Sequence, residues 1–282
     1  MTLDDLLETA HEVGFAYPRS IRTLARRAVA LRPDMSSETR APGSRLGGLP
    51  ALPPSVAWPQ HDERSLAFIA QIELATLPEA VFEQGLPRQG LLLFFYDTEL
   101  GAWGYDPKDT GSFAVVHVPQ PAGVRTDWPA NLPEHARYPD CGLSLEETLA
   151  LPPWESVLID ELDLDRAQLG AYQDILEKAF GDDAWATRGL LGGYPDQIQG
   201  DMMLECELVS AGLYCGDATA YQDPRLPAFR KHAREWRLLL QVPSVESAGM
   251  IWGDTGCLYY WIRESDLKAG RFERCWMILQ CG

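Results

Sequence analysis

The spacing of apolar and polar positions changes period several times along the chain, and each change marks an element. Residues 3–13 place Leu3, Leu6, Leu7, Ala10 and Val13 at helical spacing, with Asp4 and Asp5 in the first turn where the helix dipole favours negative charge; Gly14 ends the pattern. A second helix is expected after Ser20, with Ile21, Leu24, Ala25, Ala28 and Leu31 on one face and Arg22, Arg26, Arg27 and Arg32 on the other, stopping by Pro33. The two form an N-terminal helical arm over residues 1–40, ahead of a domain over 41–282.

Residues 33–65 are rich in Pro, Gly and Ser but carry Leu46, Leu49, Leu52, Val56 and Trp58, which predicts an irregular, packed segment. Strands follow. Leu66–Leu74 alternates loosely, Gly90–Tyr96 is a continuous apolar run bounded by Gly90 and Asp97, and Phe113–Val118 follows a Trp103-Gly104 turn. After a proline-rich connection over 119–143, Ser144-Leu-Glu-Glu147 reads as a capping box opening a short helix that ends at Pro152. Leu162–Phe180 shows a longer helical pattern closed by Gly181.

The remainder repeats earlier landmarks in the same order. Gly189-Leu-Leu-Gly-Gly-Tyr-Pro195 resembles Arg45-Leu-Gly-Gly-Leu-Pro50, and Asp201–Leu208 stands where Leu66–Leu74 stood. Trp236–Val242 echoes Gly90–Tyr96, and Trp252-Gly253 echoes Trp103-Gly104. Self-similarity of this kind is a fold-level signal. It predicts an α+β chain of two similar antiparallel β units, over about 44–118 and 188–282, that bury their apolar faces in one pseudo-symmetric domain with helices packed outside. An acidic helical insert over about 134–183 joins them.

Composition narrows the function. The 282 residues are 46% hydrophobic and 10% aromatic, enough for a packed core. No run reaches the roughly 18 apolar residues of a membrane span, and the N-terminus has acids where a signal peptide has bases, so a soluble chain retained in the cytoplasm is expected. The six cysteines show no Cys-x-x-Cys and no histidine at zinc-finger spacing, which favours reduced, buried thiols over a disulfide framework or metal site. The net charge is −17, and between Glu134 and Asp183 thirteen acids stand against Arg137, Arg166 and Lys178. Such a block disfavours nucleic acid and anionic membranes and suits a basic protein partner. Glu146, Glu147, Asp160, Glu161, Asp163 and Asp165 are its candidate partner-binding residues. An acidic surface that only maintains solubility is the alternative.

Candidate chemistry is sparse. Asp201, Glu205 and Glu207, read as one side of a strand, could gather carboxylates for a divalent ion; the same pattern is also the ordinary solvent face of a sheet. Asp109-Thr-Gly111 and Asp254-Thr-Gly256 invite comparison with paired catalytic aspartates, but they sit at unequal distances from their Trp-Gly turns and read as hairpin devices. The histidines (His11, His61, His117, His135, His232) accompany no Gly-x-Ser-x-Gly elbow, and no phosphate-cradling glycine motif occurs. No catalytic residue, cofactor or metal is therefore assigned. Asp196, Gln199, Trp252 and Asp254 form a candidate ligand site between the two repeats. Trp58, Trp103, Trp252, Tyr259, Tyr260, Trp261 and Trp276 are a surplus of aromatics suited either to binding or to a core.

The order Leu-Gly-Gly-x-Pro, Trp58-Pro59, a strand with Gln71, Gly-Leu-Leu-x-Phe-Phe, Leu-Leu-Gly-Gly-Tyr-Pro-Asp-Gln-Ile-Gln, Trp-x-Leu-Leu-Leu-Gln, Trp-Gly-Asp-x-Gly and a closing Phe-x-x-x-Trp-x-x-x-Gln-Cys resembles the YwqG-like family, a bacterial domain of unknown function, from about Arg45 to Gly282. The resemblance implies an α+β fold with an internally repeated sheet. Members occur beside bacterial toxin loci, often with immunity proteins, so it also implies a binding protein that neutralises a cognate toxin. A small-molecule or metal-dependent enzyme with its site between the repeats, and a scaffold without a toxin, are the other readings.

Overall fold

The computed structural model describes residues 1–34, 43–121, 125–181 and 188–282. Two short helices, α1 (Leu3–Glu12) and α2 (Pro18–Leu24), precede strands β1 (Arg26–Asp34) and β2 (Arg45–Leu46), a two-residue hairpin of β3 (Gln60–His61) and β4 (Arg64–Ser65), and strands β5 (Ala67–Glu73), β6 (Leu91–Tyr96) and β7 (Phe113–Val118). Strand β8 (Cys141–Ala150) leads to α3 (Val157–Asp160) and α4 (Arg166–Phe180). Then come β9 (Gly189–Gly192), α5 (Met202–Ser210), α6 (Leu226–Ala233), β10 (Trp236–Pro243), β11 (Cys257–Arg263), α7 (Glu264–Lys268) and β12 (Trp276–Gln280).

Ten strands form one antiparallel sheet, in the order β12-β11-β10-β9-β1-β8-β2-β5-β6-β7. The two ends of that order come together, so the sheet nearly closes into a barrel. Leu279 N–H donates to the Trp103 carbonyl at 2.9 Å, Trp276 Nε1 donates to the Gly104 carbonyl at 2.7 Å, and the Phe113 and Trp276 rings meet edge to face at 5.2 Å. Gly104 is required there: its φ is +85°, and a Cβ would lie 1.9 Å from the Met277 carbonyl oxygen. Across the interior, Tyr260 donates to the Phe95 carbonyl at 3.2 Å and stacks edge-on against Phe94. Trp58, Trp252, Tyr259, Tyr260, Trp261 and Trp276 are buried and Trp103 packs against the same core, so these aromatics serve packing. A second, smaller core lies under the helices, where Leu6, Ala10, Phe15 and Ile21 meet Leu149, Tyr172 and Ile175. All six cysteines are free and buried.

Three segments differ from the sequence expectation. Arg26–Asp34, expected as the second half of a helix, is β1, paired with β8 on one side and β9 on the other. Ala28–Leu31 is buried throughout, and a strand flanked on both sides can hold such a run where a surface helix cannot. Ser144–Glu147, expected to cap a helix, lies in β8; the alternation of Cys141, Leu143 and Leu145 with Gly142, Ser144 and Glu146 is the period-2 signal that the capping-box pattern obscured. The expected helical insert thus opens with one 3-10 turn at Glu134–Ala136, continues as a sheet strand and is α-helical only from α3 onward. Asp201–Leu208, expected as a strand, is helical: Asp201 caps α5 by accepting from Met203 N–H at 2.9 Å, and Met, Leu and Glu are good helix formers.

Outward from the β1–β8 pair, the order reads β8-β2-β5-β6-β7 on one side and β1-β9-β10-β11-β12 on the other. The register shifts between Phe68 and Ala70 where β5 meets β6, and between Leu238 and Leu240 where β10 meets β11.

Candidate functional site

Helix α4 begins because Asp165 accepts from Gln168 N–H at 2.8 Å, and it ends at Gly181 with φ +68°. Its apolar stripe, Ala171, Tyr172 and Ile175, is buried against α1. That orientation turns Gln173, Leu176, Glu177 and Phe180 toward a cleft of about 560 Å³, within the range of ligand pockets. The second wall follows β8 and comprises Leu151, Pro153, Trp154 and Glu155; the third is the segment Pro195–Ile198 after β9.

That third wall is firmly held. Gly192 and Gly193, with φ of +70° and +72°, turn the chain out of β9. Gln241 Oε1 accepts from Asp196 N–H at 2.9 Å, Tyr259 donates to the Asp196 carbonyl at 2.6 Å, and Gln280 Oε1 accepts from Ile198 and Gln199 N–H at 2.9 and 3.0 Å. Arg188 also lines the cleft, donating from Nε and one terminal nitrogen to both oxygens of Asp196 at 2.7 Å, with its guanidinium 5.1 Å from the centre of the Phe180 ring. Gln197 Nε2 donates to Glu155 at 2.9 Å. Asp196 is thus neutralised by Arg188. Glu155 and Glu177 line the cleft as exposed carboxylates without a cationic partner among the described residues.

The sequence-predicted ligand residues do not converge. Asp196 is in the cleft. Gln199 stands just outside it, held through its backbone. Trp252 is core, its Nε1 donating to the Pro243 carbonyl at 3.2 Å and its ring meeting Tyr96 and Tyr138, and Asp254 lies on an exposed turn beside Thr255 (φ +51°). The partners that complete the cleft, Arg188, Trp154, Phe180 and Gln197, escaped sequence reading. The one visible signal was an Arg and an Asp bracketing the Leu-Leu-Gly-Gly strand and turn.

The acidic residues spread over two surfaces, and four of the six meet the chain's own arginines. On β8, Glu147 pairs with Arg27 at 2.8 Å and Glu146 with Arg32 at 3.3 Å. Asp160 pairs with Arg230 at 3.1 Å and Glu161 with Arg234. Asp163 is exposed with φ +49°, and Asp165 caps α4, whose far end walls the cleft. Asp182 and Asp183 lie outside the described residues.

Asp201, Glu205 and Glu207, expected on one strand face, divide around α5. Burial pushes Asp201 up to about 6 against its two cap hydrogen bonds; burial and the Asp201 charge push Glu205 up to about 7. Glu207 instead accepts from Trp236 Nε1 at 3.0 Å and pairs with Arg263 at 2.6 Å. Among the described residues no group of three or more His, Cys, Asp or Glu side chains is placed to hold a metal ion. The two Asp-Thr-Gly turns are structural; Asp109 accepts from Gly104 N–H at 2.7 Å. His61 does meet a buried carboxylate, its Nδ1 lying 3.2 Å from Asp97. That carboxylate is also saturated by Arg64 and by the Glu99 and Leu100 N–H groups, a tie that anchors the β3–β4 hairpin. Among the described residues no helix is long and apolar enough to cross a membrane.

Comparison with curated proteins finds no match. The family model for DUF1963, a domain of unknown function, matches residues 44–281, from just before β2 to just past β12. The chain therefore belongs to the DUF1963 family, and the cleft between α4 and the Pro195–Ile198 segment lies within the matched region.

Proposed function

We propose that this chain is a non-enzymatic binding protein of the bacterial cytoplasm that neutralises a basic protein partner, a cognate toxin, by forming a direct complex with it. The observation that carries the reading is the cleft: one wall is helix α4, the opposite wall is a loop pinned by Gln241 and Gln280, and exposed Glu155 and Glu177 line it beside Trp154 and Phe180. An acidic, partly apolar, pre-formed cleft complements a basic segment in charge and steers its approach. The intramolecular arginine pairs of Glu146, Glu147, Asp160 and Glu161 are solvent-exposed and of little net strength, so a partner's cations can replace them at small cost.

The finer kinship with the YwqG-like group, and an internal duplication behind the sheet, belong to the same proposal. What supports duplication is the mirrored strand order about the β1–β8 pair and the two equivalent register shifts. In this alignment β5 corresponds to β10 and not to α5, and β6 to β11, so Trp236–Val242 answers to Ala67–Glu73 rather than to Gly90–Tyr96 and the two Trp-Gly turns fall in different connections.

Co-expression with the product of the adjacent gene, followed by size exclusion and mass measurement, tests the function. A stable complex that rescues growth supports it; a chain that elutes alone and fails to rescue sinks it. The position of Asp196 in a cleft of ligand size favours a small-molecule site as the second reading, for which native mass spectrometry of the purified chain would show a bound compound.

A further inference from the structure

Resting on the binding-protein reading, we infer that the cleft receives an arginine side chain of the partner, its guanidinium taken by the carboxylates of Glu155 and Glu177 and its stem lying against Trp154 and Phe180. Two features of the cleft select this occupant. Its charges do not balance among the described residues: Arg188 is spent on Asp196 in a two-point contact at 2.7 Å, and Glu155 and Glu177 have no cationic partner there, which disfavours an anion. Its apolar lining (Leu151, Trp154, Leu176, Phe180, Pro195 and Ile198) disfavours a small, strongly hydrated cation. An occupant must therefore join a cationic head to an apolar body.

Arginine satisfies this better than lysine, because a guanidinium is weakly hydrated, planar and able to lie on an aromatic face while donating in its own plane to carboxylates. The cleft already accommodates one such group, Arg188 over Phe180 at 5.1 Å. Gln197 adds an anchor: it is 8% exposed, and its Nε2 donates to Glu155 and holds that carboxylate at the cleft. The acidic insert thus acts through two glutamates, Glu177 on α4 and Glu155 ahead of α3, as well as through its total charge.

The test uses the full chain and the peptide acetyl-Gly-Arg-Gly-amide, with citrulline and lysine in place of arginine as controls, titrated by calorimetry and by chemical-shift mapping. The arginine peptide is expected to bind with shifts centred on Trp154, roughly tenfold more tightly than the citrulline peptide and more tightly than the lysine one. Glu155→Gln and Glu177→Gln are each expected to weaken it several-fold, with unchanged thermal melts confirming the fold. Equal binding of the citrulline peptide, or binding indifferent to both substitutions, overturns the inference. A partner complex of unaltered affinity in the double variant also overturns it while leaving the binding-protein reading intact. If no partner complex forms but the arginine peptide still binds with this charge dependence, the toxin reading falls and the arginine site stands.

Discussion

Gln71 and Gln241, one on β5 and one on β10, make the same pair of backbone contacts from fully buried side chains. Gln71 donates from Nε2 to the Gly43 carbonyl at 2.8 Å and accepts at Oε1 from Ala51 N–H at 2.9 Å. Gln241 donates to the Arg188 carbonyl at 3.0 Å and accepts from Asp196 N–H at 2.9 Å. Each amide ties together the two ends of a short neighbouring strand and its turn. Leucine at either position would strand a buried donor and acceptor, at a cost of about 2–4 kcal/mol by urea denaturation. Gln241 also donates to Asp196 Oδ2 at 3.0 Å, so Gln241→Leu should cost less in an Asp196→Leu background than alone; additive losses would assign that third contact no weight.

The Arg188–Asp196 pair is expected to show strong coupling. Arg188→Met leaves the Asp196 carboxylate, whose side chain is 7% exposed, without its cation, and should destabilise by about 2–3 kcal/mol after allowance for partial solvent access. Adding Asp196→Leu should recover much of that loss. A double-mutant cycle measures the coupling, and additive single effects would contradict the geometry.

Asp201 and Glu205 give the stability a definite pH dependence. Both carboxyls keep their protons to higher pH in the folded chain, Glu205 to about 7 against an ordinary 4.5 and Asp201 to about 6 against 3.8. The folded state therefore binds more protons across that interval, and the contribution of these groups to stability declines as pH rises from about 4 to about 7. Glu205→Gln should flatten the profile and raise stability at pH 8 by about 1–3 kcal/mol relative to the unsubstituted chain. Thermal melts between pH 5 and 8 decide it; a parallel decline in the variant would place the titration elsewhere.

Gly104→Ala is expected to open the seam between the two ends of the sheet. The new methyl would meet the Met277 carbonyl at 1.9 Å, so the Trp103–Gly104 segment must withdraw and release its hydrogen bonds from Leu279 and Trp276. Faster amide exchange at Leu279, with a destabilisation of about 2 kcal/mol or more, is the expected readout.

Reversal of Glu146, Glu147, Asp160, Glu161 and Asp163 to lysine should weaken partner capture at low salt and matter progressively less as salt rises. The first four also lose arginine pairs, so a stability loss shared by the complex and the free chain must be subtracted. Unchanged capture at low salt would remove this block from the interface.

The strand at 67–73 is legible from its loose alternation, those at 91–96, 113–118 and 236–243 from apolar runs of strand length, and α1 and α4 from apolar residues that keep helical spacing. Residues 26–34 and 202–210 depart from their sequence pattern for opposite reasons. Ala, Leu and Arg suit a helix locally, yet β1 is a strand because it is paired on both edges; the place of Asp201–Leu208 in the repeat points to a strand, but its own residues prefer the helix that forms. In the cleft, Asp196 was found through its motif. Arg188, Trp154 and Phe180 become its neighbours only when α4 folds back over the β9 turn, which no local pattern encodes.

The placement of β1 between β8 and β9 also bears on how the chain reaches this fold. Its partners begin at residues 141 and 189, so the strand that joins the two flanks of the sheet cannot pair until more than half the chain has been synthesised. Its buried run Ala28–Leu31 stays available for wrong pairings during that interval. Assembly should accordingly be slow, in the range of non-local β topologies. Loss of the first 34 residues would expose two fresh edges in the middle of the sheet, and should yield an aggregating chain rather than a trimmed domain.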